Sequence, residues 1–290
     1  MSRHASLLPT TLGQTIDAWL AEDIPSFDYG GYVVGDDIKI ATLYCKSHGV
    51  LAGKPFFDKV FDKVGCTVTW SFEEGAEIIP NDRKVEVAVV QGPARLILMG
   101  ERLALNILAR CSGVASRARR LRSIADSCGF QGIVAGTRKT TPGFRLVEKY
   151  GMQVGGADTH RMDLSSMVML KDNHIWATGS ITSAVEQARK VAGFSIKIEV
   201  ECQSEADAME AIDAGADIVM LDNFNPHELE LAAANIKASM GARKQVLIEA
   251  SGGITEANAA EYMVPGIDII SFGSMTQSVP HVDFSLKIAH

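Results

Sequence analysis

The spacing of apolar positions changes its period partway along the chain. In the first part, Leu12 to Ile24 repeats apolar residues at helical spacing, whereas Ile38 to Cys45, Cys66 to Phe72 and Val85 to Val90 are runs led by β-branched residues. Between the first two of these strands, Pro55 to Val64 reads as a helix stopped by Gly65, which predicts a compact βαβ-like unit. A long helical region then runs from Leu96 to Cys128, with an interruption predicted at Ser112-Gly113 and a stop at Gly129. From Gly132 onward, buried-type strands alternate strictly with amphipathic helices, the pattern of a parallel sheet or barrel. The strands are Ile133–Ala135, Met167–Leu170, Ile196–Val200, Ile218–Leu221, Val246–Ile248 and Ile267–Ile270. Six is too few for an eightfold barrel, so the fold class is α/β: an N-terminal α/β sandwich plus an open, incomplete barrel of parallel strands. Helix starts are punctuated as expected, by Asn225-Pro226-His227-Glu228 and by Ser204 with Asp207.

Composition narrows the class. With 290 residues, 47% hydrophobic and 22% charged, the chain can bury one large core or two smaller ones. No apolar run approaches the roughly 18 residues of a membrane span, and the stretch before Pro9 is too short for a signal-peptide core. Five scattered cysteines (Cys45, Cys66, Cys111, Cys128, Cys202) fit neither a zinc site nor a disulfide framework, so reduced thiols inside the cell are expected. A net charge of -7 argues against nucleic acid, and the Arg117, Arg119, Arg120, Arg122 cluster reads as a solvated helix face. Trp70, Trp176, Met167 and Met169 read as packing residues.

Against that acidic background, grouped cations carry information. They occur in Thr137-Arg138-Lys139-Thr140-Thr141-Pro142-Gly143, in Asp158-Thr159-His160-Arg161 and in Leu170-Lys171-Asp172-Asn173-His174. Arg138-Lys139 and Lys171 follow predicted strands, as do Glu201, Asp222, Ser251-Gly252-Gly253 and Gly273-Ser274, so all six sets should face one rim. The glycine segments suit phosphate, because a backbone without Cβ lets N–H groups approach it, with a helix dipole expected behind Ser251 to Ile254. Glu201 and Asp222 could hold Mg²⁺, or could pair with Lys139 and Lys171 to neutralise the pocket. Mixed Arg and Lys suggests both carboxylate and phosphate groups on the ligand. His160 and His174 gain weight as substrate contacts from their cationic neighbours. A sensor that only binds phosphorylated ligands and a Schiff-base aldolase using Lys171 are rival readings.

Taken with the Glu101-Arg102 helix, these segments resemble the quinolinate phosphoribosyltransferase family over nearly the whole chain, the eukaryotic form most of all. Phe144 stands where leucine is more usual. The resemblance implies a sandwich domain over 1–115, joined by the tail 276–290, and a catalytic open barrel over 116–275. It implies transfer of phosphoribosyl from phosphoribosyl pyrophosphate to quinolinate with decarboxylation, giving nicotinate mononucleotide for NAD biosynthesis. Arg138, Lys139, His160, Arg161 and Lys171 would line the quinolinate pocket, with Arg102 entering from a neighbouring subunit, and Thr140, Asn173, His174 and Phe272 would also be substrate-binding. Glu201 and Asp222 would hold Mg²⁺ and ribose hydroxyls, and Ser251, Gly252, Gly253, Gly273 and Ser274 would cradle the 5′-phosphate. Lys139, Lys171, Glu201 and Asp222 would be the catalytic set, with Lys139 the candidate proton donor and Lys171 or a bound water equally able to serve. The two substrates bring roughly six or seven negative charges, which five Arg or Lys residues and Mg²⁺ could nearly balance. A cytoplasmic homodimer with shared sites is expected, extendable to a trimer of dimers, with a nuclear fraction left open. The nearest rival enzyme would use nicotinate, which lacks the second carboxylate and needs fewer arginines.

Overall fold

In the computed structural model, which describes residues 3–81, 83–240 and 246–289, the change of period marks a change of architecture. After a short 3-10 turn at Arg3–Leu7 come α1 (Leu12–Asp23), α2 (Tyr29–Val34), β1 (Ile38–Cys45), β2 (Gly49–Val50), α3 (Lys54–Lys63), β3 (Thr67–Trp70), β4 (Glu77–Ile78), β5 (Val85–Pro93) and α4 (Ala94–Ser127). Then follow β6 (Ile133–Ala135), α5 (Arg145–Gly155), β7 (Val168–Leu170), α6 (Asp172–Thr178), α7 (Ile181–Ala192), β8 (Ile198–Cys202), α8 (Glu205–Asp213), β9 (Ile218–Asp222) and α9 (Pro226–Met240). The chain closes with β10 (Leu247–Ser251), α10 (Ala259–Tyr262), β11 (Ile269–Ser271), a 3-10 turn at Gly273–Met275 and β12 (Phe284–Ile288).

Two compact units result. The first holds the chain up to Arg119, Thr141–Gly156 and everything from Ser278 onward; the second holds Arg120–Thr140 and Ala157–Gln277. Boundaries are expected near residues 115 and 276; in addition, the segment carrying α5 belongs to the first unit. The apolar face of α5 explains this, because Val147, Tyr150 and Val154 are part of the first unit's core.

In the first unit the sheet order is β12-β1-β5-β3, with every neighbouring pair antiparallel. The strands joined by α3 therefore do not pair. Both run antiparallel to β5, which lies between them, so the expected βαβ-like unit is split. Phe56, Phe57, Val60 and Phe61 of α3 fill the core beside this sheet, and Gly65, at φ 81°, ends the helix as its position predicts. Helix α4 is continuous, with no break at Ser112-Gly113. Both residues serve packing: Ser112 Oγ accepts from Ala52 N at 3.0 Å, and a Cβ on Gly113 would lie 2.4 Å from the Pro280 carbonyl oxygen. The arginine cluster on α4 is not simply solvated. In the first unit Arg119 donates to the Gly155 and Val154 carbonyls, and in the second Arg122 donates to those of Gly132 and Phe130.

The second unit is a six-stranded parallel sheet of order β6-β11-β10-β9-β8-β7. Among the described residues its end strands β6 and β7 do not pair; the chain at Asp158 makes a single parallel bridge to Ala135 instead. The sheet is an open barrel whose interior starts with a dry layer of Ala135, Ile218 and Ile269, backed by Met167 and Leu247. Ser204 and Asn225 accept the N–H groups of Asp207 and Glu228, capping α8 and α9 as predicted. No helix among the described residues is long and apolar enough to cross a membrane. All five cysteines are outside disulfides.

Candidate active site

Side chains of parallel strands in register share a face, and positions two apart along a strand share it too. From the dry layer upward, that rule places Met169, Glu199, Met220 and Glu249 inside the barrel, and Lys171, Glu201, Asp222 and Ser251 above them at the strand ends. They open into a cavity of about 700 Å³. Residues following β6 (Arg138, Lys139) and β7 (Lys171) line it together, so the sheet curls until its two edges serve one mouth.

Cations form one side of this cavity. Arg138 and Arg161 lie close enough that burial, and then the charge of Arg138, pull the Arg161 guanidinium down from its ordinary pKa. Arg138 Nε is buried with no hydrogen-bond partner among the described residues. Desolvated guanidinium groups set side by side are costly unless an anion joins them. Arg161 itself is steered by the Met167 carbonyl at 3.4 Å and by Met169 Sδ at 3.5 Å, so Met169 belongs to the site rather than to packing alone. Trp176, expected to pack, is 74% exposed.

Acids form the other side. Lys171 Nζ is ion-paired with Glu201, whose side chain is only 11% exposed. Burial first, and then the charge of Glu201, raise the Asp222 carboxyl above the usual range, while Asn223 Nδ2 donates to it at 2.6 Å. Two neighbouring carboxylates at the strand ends, both lining the cavity, fit a divalent cation with oxygen preference.

Glycine turns form the rim. Gly252 and Gly253 both have positive φ, 92° and 65°, and a Cβ on Gly252 would meet Asn223 Oδ1 at 2.4 Å. A side chain is excluded at Gly252 by Asn223 and disfavoured at Gly253 by its φ, which leaves backbone N–H groups for an anion. The expected helix dipole is absent, since the next helix, α10, begins only at Ala259 and spans four residues. Ser251, Gly273 and Ser274 also line the cavity. Gly273 sits beside Lys139, whose Cδ a Cβ would meet at 3.1 Å.

Five predicted residues, Arg102, Thr140, Asn173, His174 and Phe272, lie outside this lining. Phe272 is fully buried, and its N–H goes to the Ala135 carbonyl at 2.9 Å, which makes it a core residue beside the rim. His174 Nδ1 accepts the Lys171 N–H at 3.1 Å while its own N–H returns to the Lys171 carbonyl at 2.8 Å, so it caps α6. Asn173 is exposed on that helix, and Thr140 Oγ1 donates to the Arg138 carbonyl. Arg102 is exposed in the first unit, beside a separate cavity with Trp19, Asp23 and Phe144.

Sequence reasoning missed Glu199 and Glu249. Both are fully buried beneath the cations, where His160 Nε2 reaches Glu249 Oε2 at 2.9 Å and Glu199 Oε2 at 3.8 Å. Burial, and next the charge of Glu249, raise the Glu199 carboxyl far above its ordinary range. The three present one ligand atom each within 4.8 Å of one another. The His160 ring bonds Glu249, and Arg161 and Lys171 act on Glu199 as nearby positive charges, so we read the three as an internal polar network. The signal was a glutamate inside each of the apolar runs Ile198-Glu199-Val200 and Ile248-Glu249-Ala250.

Comparison with known proteins agrees with this geometry. Residues 114–287 match the C-terminal domain of quinolinate phosphoribosyl transferase and residues 32–112 its N-terminal domain. The chain is 52% identical to a nicotinate-nucleotide pyrophosphorylase [carboxylating] of Dictyostelium discoideum, covering 98% of each, and 51% identical to the Homo sapiens protein of that name, covering 97% of this chain and 93% of the other. A solved nicotinate-nucleotide pyrophosphorylase from Francisella tularensis superposes with a TM-score of 0.87 at 29% identity, covering 97% of this chain and 98% of that one.

Proposed function

The chain belongs to the quinolinate phosphoribosyl transferase family, and we propose that the cavity at the barrel's strand ends is where the family's reaction runs. The enzyme transfers phosphoribosyl from phosphoribosyl pyrophosphate to quinolinate with decarboxylation, giving nicotinate mononucleotide, pyrophosphate and CO₂. One observation carries the assignment of the site: paired guanidiniums, two lysines, two carboxylates and a glycine turn all face a single cavity.

Arg138 and Arg161 are suited to the two carboxylates of quinolinate, since a planar fork binds a carboxylate through two hydrogen bonds. The Gly252-Gly253 turn takes the 5′-phosphate through backbone N–H groups. Glu201 and Asp222 are the residues that would hold Mg²⁺; bound there, it supplies charge stabilisation for pyrophosphate. Held between these groups, the pyridine nitrogen faces ribose C1′, and positioning with fixed charge supplies most of the rate. Once alkylated, the ring nitrogen is cationic and accepts the electron pair left as the adjacent carboxylate departs as CO₂. That carbon then takes a proton, for which Lys139, exposed at the rim, is the favoured donor.

The active assembly is a homodimer in which Arg102 reaches the partner's cavity. In support, Arg102 is exposed in the first unit and outside the lining of the cavity in its own chain. A cytoplasmic location fits five cysteines outside disulfides.

Incubating the protein with quinolinate, phosphoribosyl pyrophosphate and Mg²⁺ should yield the mononucleotide and CO₂ in equal amounts. Good turnover of nicotinate with no CO₂ from quinolinate would refute the diacid assignment.

A further inference from the structure

His160 adopts a left-handed backbone, φ 56°, which a residue with a Cβ takes only when its surroundings impose it. Three hydrogen bonds impose it here. The backbone N–H of His160 donates to Asp158 Oδ1 at 2.6 Å, and its ring Nδ1 accepts the backbone N–H of Arg161 at 2.9 Å. At the other end of the ring, Nε2 meets Glu249 Oε2 at 2.9 Å.

The tautomer follows from these contacts. A nitrogen that accepts an N–H must offer a lone pair, so Nδ1 is bare and the ring proton resides on Nε2, directed at Glu249. With the other tautomer, two N–H groups would face each other between His160 and Arg161.

We propose that Glu249 is a positioning residue: by accepting Nε2–H it holds the His160 ring in the tautomer that captures the Arg161 N–H, and so fixes the turn that presents Arg161 to quinolinate. Glu249 is fully buried on β10, a rigid strand, and so can act as a fixed reference for a strained loop residue. The inference rests on the reading that His160 and Arg161 serve the quinolinate side of the cavity.

The test combines kinetics and spectroscopy on the full-length enzyme. Glu249→Leu removes the acceptor and should raise the KM for quinolinate about tenfold, the scale of one lost hydrogen bond to a charged group. The KM for phosphoribosyl pyrophosphate should move less than about twofold. Glu249→Gln keeps a carbonyl oxygen and should recover most of the loss. In a His160→Ala background, Glu249→Leu should add nothing further, because its effect passes through the ring. Equal losses for both substrates, or full additivity with His160→Ala, would overturn the proposal. If Glu249→Leu does not fold, imidazole ¹⁵N spectra of the unmodified enzyme decide, with His160 assigned by its loss in His160→Ala. A neutral Nε2–H ring is expected there, and an Nδ1–H ring or an imidazolium would refute the idea. The two readings fail separately: an unchanged quinolinate KM in His160→Ala removes His160 from the substrate site, whereas a raised KM in His160→Ala with none in Glu249→Leu removes only the role of Glu249.

Discussion

Lys171 and Glu201, at the ends of the adjacent parallel strands β7 and β8, are joined by an ion pair across the mouth of the cavity. The pair sets a cation at the rim beside the mostly buried Glu201. Lys171→Ala should therefore lower kcat/KM by about 10²-fold or more, because it strips a preorganised charge from the site and leaves a buried carboxylate unpaired. Because Lys171 is itself 44% exposed, its removal lets water reach Glu201, and thermal stability should fall only modestly. Steady-state kinetics beside a melting curve check both halves; a large drop in Tm with intact kcat/KM would make the pair structural.

Asp222 has a raised carboxyl, by burial and then by the charge of Glu201. A raised pKa means that protons compete for this oxygen at a higher pH than for an ordinary aspartate. Apparent Mg²⁺ affinity should thus weaken as pH falls, starting above the usual carboxylate range. Asp222→Asn should lower Mg²⁺-dependent turnover and remove its share of this pH sensitivity. Titration of Mg²⁺ at several pH values decides it; identical curves for the two proteins would take Asp222 out of the ligand set.

Thiol chemistry offers a check on the interior. Burial pushes the Cys45 thiol up to about 11 and raises Cys66, Cys111 and Cys202 as well, whereas Cys128 is exposed. The thiolate is the reactive form, so at pH 8 Cys45 presents only about one thiolate in a thousand. Iodoacetamide should label the native protein once, at Cys128. Rapid labelling of Cys45 or Cys111 under native conditions would contradict this packing.

The chemistry of the strand ends was legible because parallel strands are short apolar runs and whatever follows them must face the mouth. Arg138, Lys171, Glu201 and Asp222 meet there for that reason, and Arg161 joins them from the loop between α5 and β7, beside the single bridge at Asp158. Neighbours in a motif are less reliable: Phe272 precedes Gly273 yet turns into the core, and His174 follows Lys171 yet caps a helix. A motif records proximity along the chain, while the pleat sends alternate side chains opposite ways. Glu199 and Glu249 were passed over because a lone acid in an apolar run carries no local sign of its partner, here His160, 39 or 89 positions away in sequence. Nor does spacing reveal that β5 separates β1 from β3, because pairing order is set by the whole sheet.

Gly252 tests the phosphate cradle. Alanine there must adopt φ near 92° with its Cβ against Asn223, a strain of about 1–3 kcal/mol, so the turn should shift. Gly252→Ala is expected to raise the KM for phosphoribosyl pyrophosphate by about tenfold or more while leaving that for quinolinate nearly unchanged. Equal effects on both substrates would assign the turn to general folding.

Arg102 tests the shared site. It is exposed in the first unit, outside the cavity lining, so Arg102→Ala should inactivate only if a partner's Arg102 completes each cavity. Lys171→Ala should inactivate from within the chain that carries it. In a mixed dimer of the two variants, one cavity keeps its own Lys171 and receives an intact Arg102 from the partner, while the other lacks both. Random pairing of equal amounts makes half the dimers mixed, so activity should return to about a quarter of the unmodified level. Co-expression with two affinity tags isolates the mixed species, in which half the sites should work. Should purified mixed dimers stay as inactive as their parents, Arg102 does not cross between subunits.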